Sequence, residues 1–392
     1  MANQSAAQKS APKEEGDSSW RGWLPWVLIV LAALIALVSA LNVWVKRQAL
    51  DTNNWTNSSA QLLENEKVRG ALSVYLVDQL YQNVNVGKEL QAQLPAQVKG
   101  VAAPLAGALR EVLVRAANEL LARPRVQELW KEANRRAHKR FLDLLDGKSS
   151  ALKSTNGNVV LDLQPLIQQL ALRGGFVGKL AARIPPDAGQ IVIMKSNQLD
   201  TARKGIKVIR FLSYFLVFLV LALYALAIYL APGRRRQLLM GVGVSAFVIG
   251  LLVLVVRRLA GQYFVDALTT NAVNKDAITV VWAIETNLLR NVGINILVYA
   301  IVVIFAAWIA GPSRPATWVR RVSAPTMRDH PWVVFGLVAL VLLIILWTGP
   351  TDGQRIYPLL VLFALTFVGT EVLRRQTLRE FPTAGHVPTT PQ

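Results

Sequence analysis

Six apolar runs, almost free of charge, constrain this chain more than anything else in it. The first, 24–45, holds 22 residues without one Asp, Glu, Lys or Arg. As a helix it rises about 33 Å, enough to cross a hydrocarbon core of about 30 Å. Further runs fall at 211–231, 238–256, 292–310, 332–347 and 357–373. In lipid each backbone N–H and C=O needs a partner within the protein, so such runs fold as helices. The expected fold is mostly α: a polytopic membrane protein with about six membrane helices, at 23–45, 207–231, 237–258, 291–311, 331–348 and 356–373. The residue inventory agrees, with 53% hydrophobic residues and a mean hydropathy of +0.35. Trp23, Trp26 and Trp44 bracket the first run as interfacial anchors do. The run also exceeds a signal peptide's apolar core of about 7–15 residues, so it reads as an uncleaved signal anchor.

Between the first two runs lies a water-soluble, helix-patterned segment, 46–206. Val68, Leu72, Tyr75, Leu76 and Leu80 recur at helical spacing. Val98, Ala102, Leu105, Leu109, Val112, Ala116 and Leu120 form a second stripe. Val126, Leu129, Trp130, Ala133, Ala137, Phe141 and Leu145 form a third. Pro124 suits a first helical turn, where its missing N–H has no partner to lose. No amphipathic helix buries its own apolar face, so the three stripes are expected to pack together. Asn156-Gly157 signals a turn. Val159, Leu161 and Leu163 then alternate with Asn158, Val160 and Asp162, and 190–194 is β-branched, so a small β element is expected beside the helices. Ser196 or Asn197 can cap a last helix running into the second membrane run. The loop 259–290 reads as two short amphipathic helices at the membrane surface. The ends, 1–22 and 374–392, read as tails.

Charge sets the expected orientation, since short cytoplasmic segments collect Lys and Arg. With the N-terminus inside, the inner side holds Lys9, Lys13, Arg21, Arg234, Arg235, Arg236, Arg314, Arg320, Arg321, Arg328, Arg374, Arg375 and Arg379. The short outer loops hold Arg257, Arg258, Lys275, Arg290 and Arg355. Both termini are therefore expected in the cytoplasm of a bacterial cell, with 46–206 outside the plasma membrane.

Several classes of chemistry are poorly supplied. The chain has no cysteine and 3 histidines, so thiolate chemistry is excluded and a histidine-rich metal centre is not expected. The formal charge of +19 comes with no nucleic-acid motif. No nucleophile–base–orienter set emerges from spacing, and neither a cofactor nor nucleic acid is expected. Carriers coupled to ions place carboxylates at mid-membrane. Here Glu371 stands near a run's end and reads as an ion-pair partner of Arg374. Asn295 reads as an interhelical bond, and Gly241, Gly243 and Ser245 as small residues admitting close helix packing.

Two constellations point to binding. Arg135, Arg136, His138, Lys139 and Arg140 form a basic cluster that suits anionic lipids or envelope polymers. Tyr75-Leu-Val-Asp78-Gln-Leu80 and Tyr263-Phe-Val-Asp266-Ala-Leu268 share a pattern. Tyr75, Leu76 and Leu80 are expected to dock against Tyr263, Phe264 and Leu268, holding the outer loop under the large domain. Whether the two segments record a duplication stays open.

Trp55, Leu62-Leu63, Val68-Arg69, Leu129-Trp130-x-x-Ala133-Asn134-Arg135-x-Ala137-His138, Val160-Leu161-Asp162-Leu163-x-Pro165-Leu166 and Arg234-Arg235-Arg236 carry a resemblance. Over about the first 260 residues the chain resembles integral membrane proteins of actinobacterial type. That resemblance implies an N-terminal anchor and a large helical extracytoplasmic domain, and it brings no established activity. The expected function is a non-enzymatic envelope protein whose outer domain binds or senses a ligand or a protein partner. The alternative is a permease or export accessory subunit.

Overall fold

The computed structural model describes residues 20–83, 102–148, 152–155, 158–162, 190–269, 272–348 and 356–382. Among them lie twelve helices and three strands. The helices before the sheet are α1 (Trp20–Leu50), α2 (Thr52–Glu64), α3 (Glu66–Asn83), α4 (Ala102–Ala122) and α5 (Pro124–Leu145). The strands are β1 (Leu152–Thr155), β2 (Asn158–Asp162) and β3 (Gln190–Lys195). Then come α6 (Ser196–Tyr229), α7 (Arg235–Leu268), α8 (Ala272–Glu285), α9 (Asn287–Ile309), α10 (Arg314–Asp329), α11 (Pro331–Thr348) and α12 (Ile356–Glu380). The strands form one antiparallel sheet in the order β1-β2-β3. Leu152 stands opposite Leu161, and Asp162 opposite Gln190. Leu163, Pro165, Leu166 and the Asn156-Gly157 turn lie outside the described residues.

The chain is a mostly helical membrane protein. Gly22–Leu50, Asp200–Tyr229, Arg235–Leu268 and Asn287–Ile309 are long and apolar enough to cross a membrane. A fifth candidate arises if α10 and α11, bent by 114° at His330, make one broken span. Two compact units divide the residues, and α1, α6, α7 and α9 contribute to both. The first comprises 1–38, 216–254 and 291–392, the second 39–215 and 255–290.

In the first unit, glycines let helices meet. A Cβ on Gly250 of α7 would stand 2.9 Å from Leu297 Cγ and 3.1 Å from the Gly293 carbonyl of α9. One on Gly293 would meet Leu254 at 2.9 Å. Gly241 accepts the Trp26 ring, and Gly243 accepts Ile304, each closer than a Cβ allows. Tyr224 and Ser245 share a hydrogen bond at 3.0 Å. This is the close packing expected of Gly241 and Ser245. Asn295, by contrast, makes no interhelical hydrogen bond among the described residues.

Arginines close the helix ends of this unit. The last carbonyls of a helix lack intrahelical donors and carry partial negative charge. Arg320, 2% exposed, donates to the carbonyls of Ile309 and Gly311 at the end of α9 and pairs with Glu380 at 2.9 Å. Arg374 donates to Met327 O at 2.9 Å near the end of α10. Arg328 donates to Phe381 O at 3.0 Å and to Pro382 O, just past α12. Three of the arginines that carry the orientation argument thus also hold the helix ends together. Glu371 pairs with Arg374 at 3.2 Å and with Arg375 at 2.8 Å, as its spacing suggested.

In the second unit α2 packs on α5, α3 on α4, and α8 on both α2 and α3. Asp51 caps α2 by accepting from the N–H groups of Asn53 and Asn54. Thr56, Ser59, Ala60 and Leu63 are its buried side. Pro124 occupies the first turn of α5.

Two expectations need correction here, and one element was not expected. First, the apolar stripes mark the inner faces only in part: Leu145 is buried, and Leu109 and Val126 are half-buried. Leu105, Val112, Ala116 and Leu120 of α4 are exposed, and so are Leu129, Trp130, Ala133, Ala137 and Phe141 of α5. Polar partners help choose the inner side. Arg110 pairs with Asp78, Asn118 accepts from Arg69 at 3.1 Å, and Tyr81 donates to the Ala106 carbonyl at 2.8 Å. Second, 259–290 does not form two short helices. α7 continues unbroken to Leu268, since 257–268 contains no proline, and only α8 is separate. Third, 314–329 is a helix that the charge count alone did not reveal.

Candidate functional site

The end of α1, which belongs to the second unit, carries one polar side chain after another. Asn42 donates to the Ile209 carbonyl at 3.1 Å and to Ser213 Oγ at 3.0 Å, which fastens α1 to α6. Lys46 lies 3.7 Å over the Tyr214 ring, a cation–π contact along the same seam. Trp44 Nε1 donates to the Glu285 carbonyl at 3.4 Å. One turn on, Gln48 Nε2 donates to Glu285 Oε2 at 2.6 Å and to Ser58 Oγ at 3.1 Å. Gln48 is 7% exposed, and its Oε1 has no partner among the described residues. Next to Glu285, buried Thr286 accepts from Arg257 Nε at 2.9 Å and donates to the Trp282 carbonyl at 2.6 Å. Gly261 leaves room for the Trp282 indole, which its own Cβ would strike. α1, α2, α7 and α8 thus meet in one polar joint.

A second joint sits at the α1–α2 corner. The His138 ring stacks on Trp55 with centroids 4.9 Å apart. Its Nε2 lies 3.2 Å from the Ala49 carbonyl and its Nδ1 3.2 Å from Thr52 Oγ1. A carbonyl only accepts, so Nε2 carries the proton, and Nδ1 accepts from the Thr52 hydroxyl. Burial pushes the His138 pKa down, opposed by the bond to Ala49 and by Asp51. The folded ring is therefore neutral near neutral pH. Trp130 Nε1 donates to the Ser59 carbonyl at 3.0 Å and pins α5 to α2 a second time.

The basic cluster on α5 is split by this arrangement. Arg135, Arg136, Lys139 and Arg140 are exposed, whereas His138 points inward and is 6% exposed. Arg136 is paired with Glu132 at 2.6 Å, and Arg135 donates to Asn53 at 3.3 Å. Lys139 and Arg140 make no ion pair among the described residues.

The α8 helix docks on α3, but not through the expected stripes. Tyr75, Leu76 and Leu80 stay exposed, as do Tyr263 and Leu268. Phe264 is half-buried against the Trp282 ring, centroids 5.0 Å apart. Across the contact Lys67 of α3 bonds Asp276 of α8 at 2.7 Å. That ammonium holds the Asp276 carboxyl below the usual carboxylate range.

Sequence reasoning missed Asn42, Gln48, Ser58 and Glu285. Glu285 could have been found as the one carboxylate between Asp276 and the end of the fourth apolar run. Gln48 carried no such signal. Among the described residues no group of three or more His, Cys, Asp or Glu is placed to hold a metal. No known protein family, curated protein or solved structure matches the chain.

Proposed function

We propose that this is a non-enzymatic, multi-pass envelope protein of a bacterial plasma membrane. Its domain 46–206 stands outside the cytoplasm, binds or senses an anionic ligand on the α5 face of Lys139 and Arg140, and passes the event to helices continuous with the apolar runs. Six spans with both termini inside fit the asymmetry of Lys and Arg between the connecting segments. The observation that carries the sensing role is Gln48. A buried amide oxygen without a partner costs about 1–3 kcal/mol, which a leucine there would not incur. An inert anchor has no use for that cost. A joint between α1, α2 and α8 that is only partly satisfied is poised to change partners when α2 is pushed through α5.

The test uses the full chain in nanodiscs, with inorganic polyphosphate as the anionic probe. Binding is expected, weaker at high salt and weaker again in Lys139→Gln/Arg140→Gln. Hydrogen exchange over 282–286 is expected to change on binding in the parent chain and not in Gln48→Leu. Binding untouched by the α5 substitutions removes α5 as the site. Exchange that responds equally in Gln48→Leu removes the relay. Because the chain lacks cysteine, orientation is read from single cysteines. Those at Ser150 and Thr351 should label from outside intact cells, and one at Ser313 should not.

A further inference from the structure

Some arginines of the first unit cap helix ends or pair with a carboxylate, and four others make no ion pair among the described residues. Arg320, Arg328 and Arg374 cap helix ends, and Arg375 pairs with Glu371. Arg235, Arg236, Arg314 and Arg321 make no ion pair among the described residues. The Arg236 guanidinium abuts Gly311 so closely that a Cβ there would strike it. This sets the start of α7 beside the turn that leads into α10.

The helix α10 itself is two-faced. Its inner side holds Ala316, Arg320, Ala324 and Met327, all buried. Its outer side presents Trp318, 66% exposed, and Val322, 58% exposed, one turn apart, with Arg314 and Arg321 flanking them. A helix with Arg314, Arg320, Arg321, Arg328 and Asp329 in 16 residues does not cross a hydrocarbon core. The neighbouring α11 is 18 uncharged residues, about 27 Å long. It needs no help from α10 to approach the thickness of a membrane. The 114° bend between them lays α10 close to the plane of the bilayer when α11 stands along its normal.

We infer that α10 is an interfacial helix that binds the anionic phospholipid surface. Trp318 and Val322 enter the boundary between headgroups and acyl chains, and Arg235, Arg236, Arg314 and Arg321 hold lipid phosphates. The arrangement has what such helices use: an apolar face, an indole suited to the interface, and cations without internal counter-ions. Charge complementarity selects the occupant. A neutral protein surface would leave four arginines unmatched, and an acidic soluble partner would leave Trp318 and Val322 without an apolar phase.

The test uses the absence of native cysteine. Val322→Cys is labelled with an environment-sensitive fluorophore in the full chain in nanodiscs, and Trp318→Cys serves as the second probe should the first fail to fold. Blue-shifted emission is expected, with stronger quenching by nitroxide at headgroup depth than at mid-chain depth. At equal mole fraction, nitroxide-bearing phosphatidylglycerol should quench more than nitroxide-bearing phosphatidylcholine. A cation at an anionic surface changes local partitioning roughly fivefold, so Arg314→Gln/Arg321→Gln should abolish most of the phosphatidylglycerol preference. Water-like emission overturns the proposal. So does stronger quenching from mid-chain, which would make α10 re-entrant. Equal quenching by the two lipids in the parent chain removes the anionic selectivity.

Discussion

The α7–α9 contact and the α1–α2–α8 joint solve opposite problems. In the first unit Gly250 and Gly293 bring two apolar helices within van der Waals reach, and no side-chain hydrogen bond joins α7 to α9 among the described residues. Helices facing lipid gain little from the hydrophobic effect between them, so close backbone approach and dispersion supply the attraction. In the second unit Gln48, Ser58, Glu285, Thr286 and Arg257 cross the gap with hydrogen bonds. Close packing tolerates no added volume. A polar joint tolerates volume but not a lost partner.

The largest expected effect therefore lies at the glycines. Gly250→Leu inserts a side chain where a single Cβ is already too close to Leu297 and the Gly293 carbonyl. Overpacking of this kind costs about 1–3 kcal/mol or more. The expected result is a lower Tm and loss of a monodisperse peak in detergent. A Gly250→Leu protein that purifies like the parent would break the contrast, because the two helices would then not be in backbone contact.

A smaller effect is expected at His138, and only in acid. Its folded pKa is lowered from the ordinary histidine value of 6.5 by burial. The unfolded chain therefore binds this proton first. The contribution of the neutral ring is present above about pH 6.5 and declines as pH falls from there toward the folded pKa. Denaturant unfolding of the domain should show that decline. His138→Gln should flatten the portion of the slope that the imidazole supplies. An unchanged slope in the variant would place the pH response elsewhere.

The smallest effect is expected at Lys67 and Asp276. Their side chains are 58% and 66% exposed, and pairs in water contribute little. Lys67→Ala should leave the Tm within error while raising the Asp276 carboxyl toward its ordinary range. A clear Tm loss would show that this pair carries the docking of α8.

Much of the helical framework was legible before any coordinates. The charge-free run 24–45 could only be a helix, Pro124 marked the start of α5, and Glu371 stood three and four residues from its arginines. These are local facts, decided by backbone hydrogen bonding and by spacing along one helix. The inner faces of α4 and α5 were legible only in part. Their apolar periods pointed one way, and Asp78, Arg69 and Ser59, distant in sequence, turned the helices another. A period records which residues are apolar, and it says nothing about a cation on the adjacent side that has a carboxylate waiting across the gap.

The amino-acid sequence by itself determined that this chain is helical, that it belongs in a membrane, and which residue types its chemistry has to do without. Only the tertiary structure decided that His138 leaves the basic cluster to pin α1 and α2, that Glu285 reaches Gln48, and that Arg320 closes α9 while Arg314 and Arg321 stay outside. The reason is physical. Apolar length and charge are properties of a segment and survive in any fold, whereas a hydrogen bond or a helix cap between residues 60 or 237 apart exists only once packing has brought them together.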